Sequence, residues 1–310
     1  MDIVKSKYIY MINYKEKEKE LCDLELRNIF DLSFDSKFIF SDLDYNPSNS
    51  VFIKSQMEIM FESNCIDQLS VNIENSKLTL DGYKISYIKN DIIEYHDRLR
   101  SMQKIGNSIE GRFDLKTPAH NLAITRINNI WYFGKYKRNG NEWVNRKNKP
   151  FNYSIALDVS LAKSLINIAS KNNRDVKILD PCCGIGTVVI EGLMMGYDIV
   201  GYEINPLIAR HANENLRFFK LDEVIINKDM SLITEDYDVA IIDLPYGMYT
   251  PTREGLQSDI IKKSREIVNR AVIISKEEID NIIQFHGFKI EEKAELKKTH
   301  TFSRFIYTCK

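Results

Sequence analysis

One stretch restricts the fold of this chain more than any other. A short apolar run, Val176 to Leu179, ends in Asp180 and opens directly into Pro181-Cys182-Cys183-Gly184-Ile185-Gly186-Thr187. A buried strand that ends in an acid and a glycine turn, with a helical pattern behind it, is the first unit of a parallel sheet. The alternation then continues. Ile199 to Glu203, Val224 to Ile226, Val239 to Ile242 and Ala271 to Ser275 read as strands. Leu157 to Ser170, Thr187 to Met195, Pro206 to Lys220, Leu256 to Val268 and Glu277 to His286 read as helices, with Pro206 well placed at a helix start. Phe288 to Leu296 and Phe302 to Thr308 close the chain as an antiparallel pair. Residues 151–310 are therefore expected to form a doubly wound α/β domain, a mostly parallel seven-stranded sheet with an antiparallel C-terminal strand.

The first 134 residues have a different texture and read as α+β. Tyr8 to Ile12, Val51 to Ile53 and Lys84 to Ile88 are strand candidates; Lys17 to Phe30 and Ile92 to Ile105 look helical. Gln56 to Phe61 and Ile66 to Ile73 fit either period. Leu122 to Ile127 and Ile130 to Gly134 make a hairpin through Asn128-Asn129. Residues 135–150 hold Lys135, Lys137, Arg138, Arg146, Lys147 and Lys149 against the single acid Glu142, with Tyr136 and Trp143 interleaved. They are expected to be a basic linker whose six cations contact phosphates; a solvated hairpin is the competing reading.

In an open α/β sheet, ligands bind at the carboxyl ends of the strands. Asp180, Cys182, Gly184, Gly186 and Thr187 form such an end, and two glycines let the backbone approach a ligand. An ordinary turn or a dinucleotide site could be built this way too. Val189 stands where a dinucleotide loop has its third glycine, and Asp180 favours a cationic ligand group over pyrophosphate. The ammonium and sulfonium of S-adenosylmethionine meet that preference. Glu203 ends the next strand, where a carboxylate can accept from ribose hydroxyls, and Asp229 follows the third, where it can accept from an adenine amine.

Asp243-Leu244-Pro245-Tyr246-Gly247 follows the strand Val239 to Ile242. An exocyclic amine on a base is a poor nucleophile because its lone pair is delocalised into the ring. Two acceptors on its hydrogens, the Asp243 carboxylate and a carbonyl of Leu244 or Pro245, would restore nucleophilic geometry and stabilise the charge developing on nitrogen. Tyr246 would stack on a base rotated out of its helix. That chemistry needs neither a metal nor a covalent intermediate.

Composition narrows the classes. A net charge of −1 speaks against coating nucleic acid by bulk charge, though not against a local basic surface. Five cysteines without a Cys-x-x-Cys pair, and histidines without ligand spacing, suggest neither disulfides nor zinc. The beginning of the chain has no apolar signal region and no stretch is long enough to span a bilayer, so a reduced cytoplasmic setting away from membranes is expected.

On these residues the chain resembles the THUMP-associated tRNA guanine-N2 methyltransferases of the conserved RNA-methylase group. The similar stretches are Lys149 to Ser154, Leu161 to Ala169, the Asp180 loop through Glu191, Asp243 to Gly247, and the ending around His300 and Phe302-Ser303-Arg304. Ile105 to Pro118 resembles the end of a THUMP-like RNA-binding domain. The resemblance implies a Rossmann-like S-adenosylmethionine-dependent methyltransferase domain behind an α+β THUMP-like region. It implies tRNA as partner, guanine N2 as target, and Tyr153 and Ser154 as further residues lining the donor site. Leu244 replaces a proline common in the wider family; its carbonyl remains. The residues leave the oligomeric state open, a monomer included. A DNA adenine-type amino-methyltransferase and a non-catalytic RNA-binding protein are the rival readings.

Overall fold

A computed structural model describes residues 7–90, 93–153, 156–245, 255–299 and 302–310. The chain divides into two units. The first comprises residues 1–13, 34–48 and 52–140; the second comprises 14–33, 49–51 and 141–310.

The first unit contains β1 (Tyr8–Ile12), β2 (Phe38–Ser41), β3 (Ile53–Ser63), α2 (Ile66–Asn75), β4 (Tyr83–Tyr87), α3 (Tyr95–Asn107), β5 (His120–Ile127) and β6 (Ile130–Arg138), while α1 (Lys19–Phe30), which precedes β2 in the chain, belongs to the second unit. The sheet order is β2-β1-β3-β6-β5-β4, antiparallel except for the β4–β5 pair. A parallel pair needs a crossover, and α3 lies within it. Alternation sorts the faces. Leu122, Ile124, Trp131 and Phe133 pack with Leu69 and Ile73 of α2 and Ile105 of α3, whereas Ala123, Ile127 and Tyr132 join Ile9, Met11 and Met57 on the opposite face. Asn128 and Asn129 both have positive φ, 49° and 66°, as the tight hairpin turn requires.

Two expectations change here. Gln56 to Phe61 is strand, part of the 11-residue β3, and Ile66 to Ile73 is helix. Because β3 is long, β6 extends along it to Arg138, pairing Glu58 with Lys135, Gln56 with Lys137 and Ser55 with Arg138. Lys135 to Arg138 therefore belong to a sheet and not to a linker, and the chain passes to the second unit at residues 140–141. The remaining part, Glu142–Lys147, is a 3-10 turn.

The second unit adds α4 (Val159–Ser170), β7 (Lys177–Asp180), α5 (Thr187–Met194), β8 (Asp198–Glu203), α6 (Pro206–Phe218), β9 (Ile225–Asn227), β10 (Tyr237–Asp243), α7 (Leu256–Ile267), β11 (Val268–Ser275), α8 (Asp280–Phe285), β12 (Ile290–Thr299) and β13 (Phe302–Cys309). The order is β12-β13-β11-β10-β7-β8-β9. The five strands from β11 to β9 run parallel, and β13 and β12 close the edge antiparallel. This is the doubly wound sheet expected from the alternation, and the Rossmann-like architecture that the resemblance implies. Helices α4 and α5 cover one face; α6 lies on β8 and β9, and α7 on β11.

Helix α1 was expected in the N-terminal region, but it packs on α4. The physical reason lies in α4, which is buried on every side from Leu161 to Ser170, polar residues included. Its outer face carries Lys163, Ser164 and Asn167, and α1 supplies a matching acid: Asn167 Nδ2 donates to Glu25 Oε1 at 2.8 Å and to the Asn49 carbonyl at 2.9 Å. Buried polar groups need such partners.

Candidate active site

The sheet reverses its direction of growth between β7 and β10, which are hydrogen-bonded neighbours. That switch point opens a crevice at the strand carboxyl ends, and Asp180 and Asp243 are the terminal residues of the two strands flanking it.

The loop after β7 is held by its own backbone. Gly186 N–H donates to the Cys183 carbonyl, and Cys183 N–H donates to the Tyr202 carbonyl on β8, each at 2.9 Å. Gly186 has φ +78°, a left-handed conformation that favours glycine, and a Cβ there would press on Ile225 Cδ1 at 2.7 Å. Gly184 has φ +53°, with nothing within 4 Å of a Cβ position: its backbone faces open space. Glu203 ties the next strand to this loop, its Oε2 accepting from Gly184 N–H at 3.1 Å and its Oε1 from Asn205 N–H at 2.8 Å.

Electrostatically the crevice is acidic. Burial holds the Asp180 carboxyl well above the usual carboxylate range, and the nearby charges of Asp243 and Glu203 push it further up. Burial also raises Glu203. Cys182 and Cys183 are driven up by burial and by the same acids, so both stay thiols and neither serves as a nucleophile. Asp229 accepts from Ser231 N–H at 2.8 Å through Oδ1, while Asn227 turns away to the carbonyls of Glu203 and Ile204. Among the described residues no cluster of His, Cys, Asp and Glu could hold a metal ion.

This donor set tests what the crevice accepts. Buried carboxyls at Asp180 and Glu203 disfavour a pyrophosphate and suit a ligand bearing positive charge and hydroxyl donors. Ile204, directly after Glu203, is 65% exposed, an apolar side chain available to a flat ring. The residues present fit S-adenosylmethionine: Asp180 for cationic groups, the loop backbone at Gly184 for close approach, Glu203 for hydroxyls and Asp229 for an amine.

Asp243 is half-buried at the end of β10. Leu244 is fully buried and its N–H donates to the Ile274 carbonyl at 3.1 Å, which fixes the peptide that follows Asp243. Gln257 Nε2 donates to the Pro245 carbonyl at 2.9 Å. Of the two carbonyls considered as second acceptor, the one at Pro245 thus already has a partner in α7, which favours Leu244. Tyr246, Gly247, Ser154 and His300 lie outside the described residues.

Two of the six basic candidates are corrected. Lys149 is 6% exposed and its ammonium donates to Thr187 Oγ1 at 2.9 Å. Arg146 forms a two-bond pair with the buried Glu191. Neither cation faces solvent, because α5 places a carboxylate and a hydroxyl where both are satisfied. Lys147 is exposed, as are Lys135, Lys137 and Arg138 on the first unit, where Lys135 pairs with Glu58 at 3.2 Å. There Lys137 and Arg138 join Lys84, Ser86, Asn121 and Tyr136 around a recess of about 440 Å³. Lys84 was missed because its neighbours in sequence are not basic.

Tyr153 is placed beside α6, its hydroxyl 2.7 Å from His211 Nδ1. His211 also stacks flat on Phe151, with centroids 3.9 Å apart.

The comparisons with known proteins follow this geometry. Residues 146–295 match the family model of the RMKL-like methyltransferase domain, and residues 5–214 match that of the DNA methylases. The second match covers more than half of the chain, which therefore belongs to the methylase family that this model describes. The two matches share residues 146–214, which hold the Asp180 loop and Glu203; only the first reaches Asp243. A tRNA (guanine(10)-N2)-dimethyltransferase of Methanothermobacter thermautotrophicus is 33% identical over 107 residues, 34% of this chain and 32% of that protein. A protein of the same name from Pyrococcus abyssi is 25% identical over 183 residues, 54% of each. The chain spans between about a third and about half the length of these relatives. The structure titled TrmN from Thermus thermophilus is 12% identical, with a TM-score of 0.49 over 98% of this chain and 99% of that one.

Proposed function

We propose that this protein transfers the methyl group of S-adenosylmethionine to an exocyclic amine of a nucleic-acid base, guanine N2 in tRNA. The observation that supports the reading is that Asp243 and Asp180 end two neighbouring parallel strands, β10 and β7, close enough for the charge of Asp243 to raise the Asp180 carboxyl. One end of a crevice thus offers acceptors to an amine, and the other offers carboxyls to a cationic donor.

In this reading the bound donor supplies an electrophilic methyl group. The chain supplies the rest. Asp180, Gly184, Glu203 and Asp229 bind and orient the donor, with Cys182 and Thr187 shaping the loop. The Asp243 carboxylate and the Leu244 carbonyl accept hydrogen bonds from the target amine and stabilise charge developing on nitrogen. Tyr246 is assigned the aromatic contact with the base, and Tyr153 and Ser154 are assigned to the donor, as the resemblance implies. Most of the rate comes from placing nitrogen and methyl in line.

That the substrate is tRNA rests on the printed names of the curated relatives and on the exposed cations Lys135, Lys137, Arg138 and Lys147, with residues up to 134 in the role of a THUMP-like RNA-binding region. A cytoplasmic setting goes with this reading. The match to the DNA methylase model supports a second reading, methylation of an amine in DNA. Mapping methylated nucleosides in tRNA from cells with and without the protein separates the two. N2-methylguanosine lost with the protein supports the first. Unchanged tRNA together with methyl incorporation into duplex DNA supports the second.

A further inference from the structure

The approach to the glycine loop is fastened by a side chain that sequence patterning does not single out. Asn215, near the end of α6, is fully buried. Its Oδ1 accepts from Phe151 N–H at 3.0 Å, and its Nδ2 donates to the Phe151 carbonyl at 3.1 Å and to the Ile185 carbonyl at 3.2 Å. An amide that both accepts from and donates to one residue's backbone holds that residue as a neighbouring strand would. Its second N–H reaches the glycine loop, so both donors are used. No other neutral side chain of this size supplies two donors and an acceptor in one plane. Aspartate, its isostere, would set a carboxylate against two carbonyls.

The same segment is fixed on either side of this point. Two residues earlier, Lys149 donates to Thr187 Oγ1 at 2.9 Å. Phe151 stacks on His211 at an interplanar angle of 6°, and Tyr153 bonds the same ring. Ile185 and Thr187 flank Gly186, whose φ of +78° makes the turn. Residues 149–153 and the loop are thus held in one frame, with Asn215 as the joint common to both.

We propose that Asn215 is a positioning residue of the methyl-donor site: it registers the 149–153 segment against the glycine loop and thereby sets donor affinity, leaving the chemical step to Asp243. The inference rests on the donor reading given above. It concerns binding because, among the described residues, the hydrogen bonds of the Asn215 side chain run to Phe151 and Ile185, on the donor side of the crevice.

Calorimetry of the full chain with S-adenosylmethionine and S-adenosylhomocysteine tests this, with steady-state kinetics alongside. Loss of two buried hydrogen bonds in Asn215→Asp should raise the donor Kd and KM about tenfold or more. At saturating donor, kcat should stay within about twofold of the wild type, since no transition-state contact is removed. A purely structural Asn215 would lower the melting temperature and leave donor KM in place; that result, or a fall in kcat at unchanged donor Kd, overturns the proposal. Should Asn215→Asp fail to fold, His211→Ala at its half-buried site carries the test. A donor Kd raised about threefold by loss of the stack and its hydrogen bond supports the proposal, and an unchanged Kd overturns it. A wild-type chain that binds neither ligand contradicts the donor reading itself, and this inference falls with it.

Discussion

Arg146 closes a two-bond fork on Glu191, Nε to Oε1 at 2.5 Å and Nη2 to Oε2 at 2.6 Å, around a carboxylate that is 1% exposed. A buried acid held this way depends on its partner, since removing one member strands the other charge. Arg146→Ala should therefore cost about 3–5 kcal/mol of stability. Chemical denaturation measures it, and a loss below about 1 kcal/mol would show the pair to be dispensable.

The exposed cations should behave in the opposite way. Lys137→Ala and Arg138→Ala, at exposed positions near the end of β6, should change stability by less than about 0.5 kcal/mol. They should instead weaken tRNA binding and reduce the slope of its salt dependence by about 1 per lost phosphate contact. Binding titrations across a salt series decide it; an unchanged slope in the double variant removes these residues from the nucleic-acid surface.

Residues 135–149 show why charge in a sequence locates a surface only in part. Their six cations look alike in one dimension. Whether each reaches solvent depends on α5, which sets Glu191 and Thr187 opposite Arg146 and Lys149. The parallel sheet was legible because its strands are continuous apolar runs, such as Val239 to Ile242, and because glycines mark the turn at Asp180. The placement of α1 was not, since its amphipathic pattern says that a face is buried and not against what. Asn215 was equally hidden, because an asparagine in a helix reads as a polar face until Phe151 and Ile185 are brought beside it.

Lys163 gives a pH-dependent prediction. It is 2% exposed, and burial lowers its pKa to about 8, with Glu191 opposing the fall. Between about pH 8 and the ordinary lysine range, the unfolded chain binds a proton that the folded chain has released. The contribution of this group to stability therefore rises with pH across that window. Measured as the difference in melting temperature, any advantage of Lys163→Met over the wild type should shrink as pH rises from 8 to 10. A constant difference would mean that Lys163 titrates normally.

Donor affinity should also depend on pH. Asp180 and Glu203 are both raised, chiefly by burial, and a cationic ligand binds best to their ionised forms. On acidification, affinity for S-adenosylmethionine should begin to fall above the usual carboxylate range near pH 4. Binding should release protons, seen as a dependence of the calorimetric enthalpy on buffer. Glu203→Gln should remove its share of that release, and a flat affinity profile from pH 8 to 5 would contradict the shifts.

The account stands on Asp243 as the acceptor that makes a base amine nucleophilic, on a site whose donor half is built separately around Asp180. The most direct test compares Asp243→Ala with the wild type in two assays on one preparation. Methyl transfer to tRNA should fall by about a thousandfold, as when a preorganised charge-stabilising group is removed. Donor Kd and melting temperature should remain close to wild type. Transfer at the wild-type rate by the folded variant would contradict the assignment.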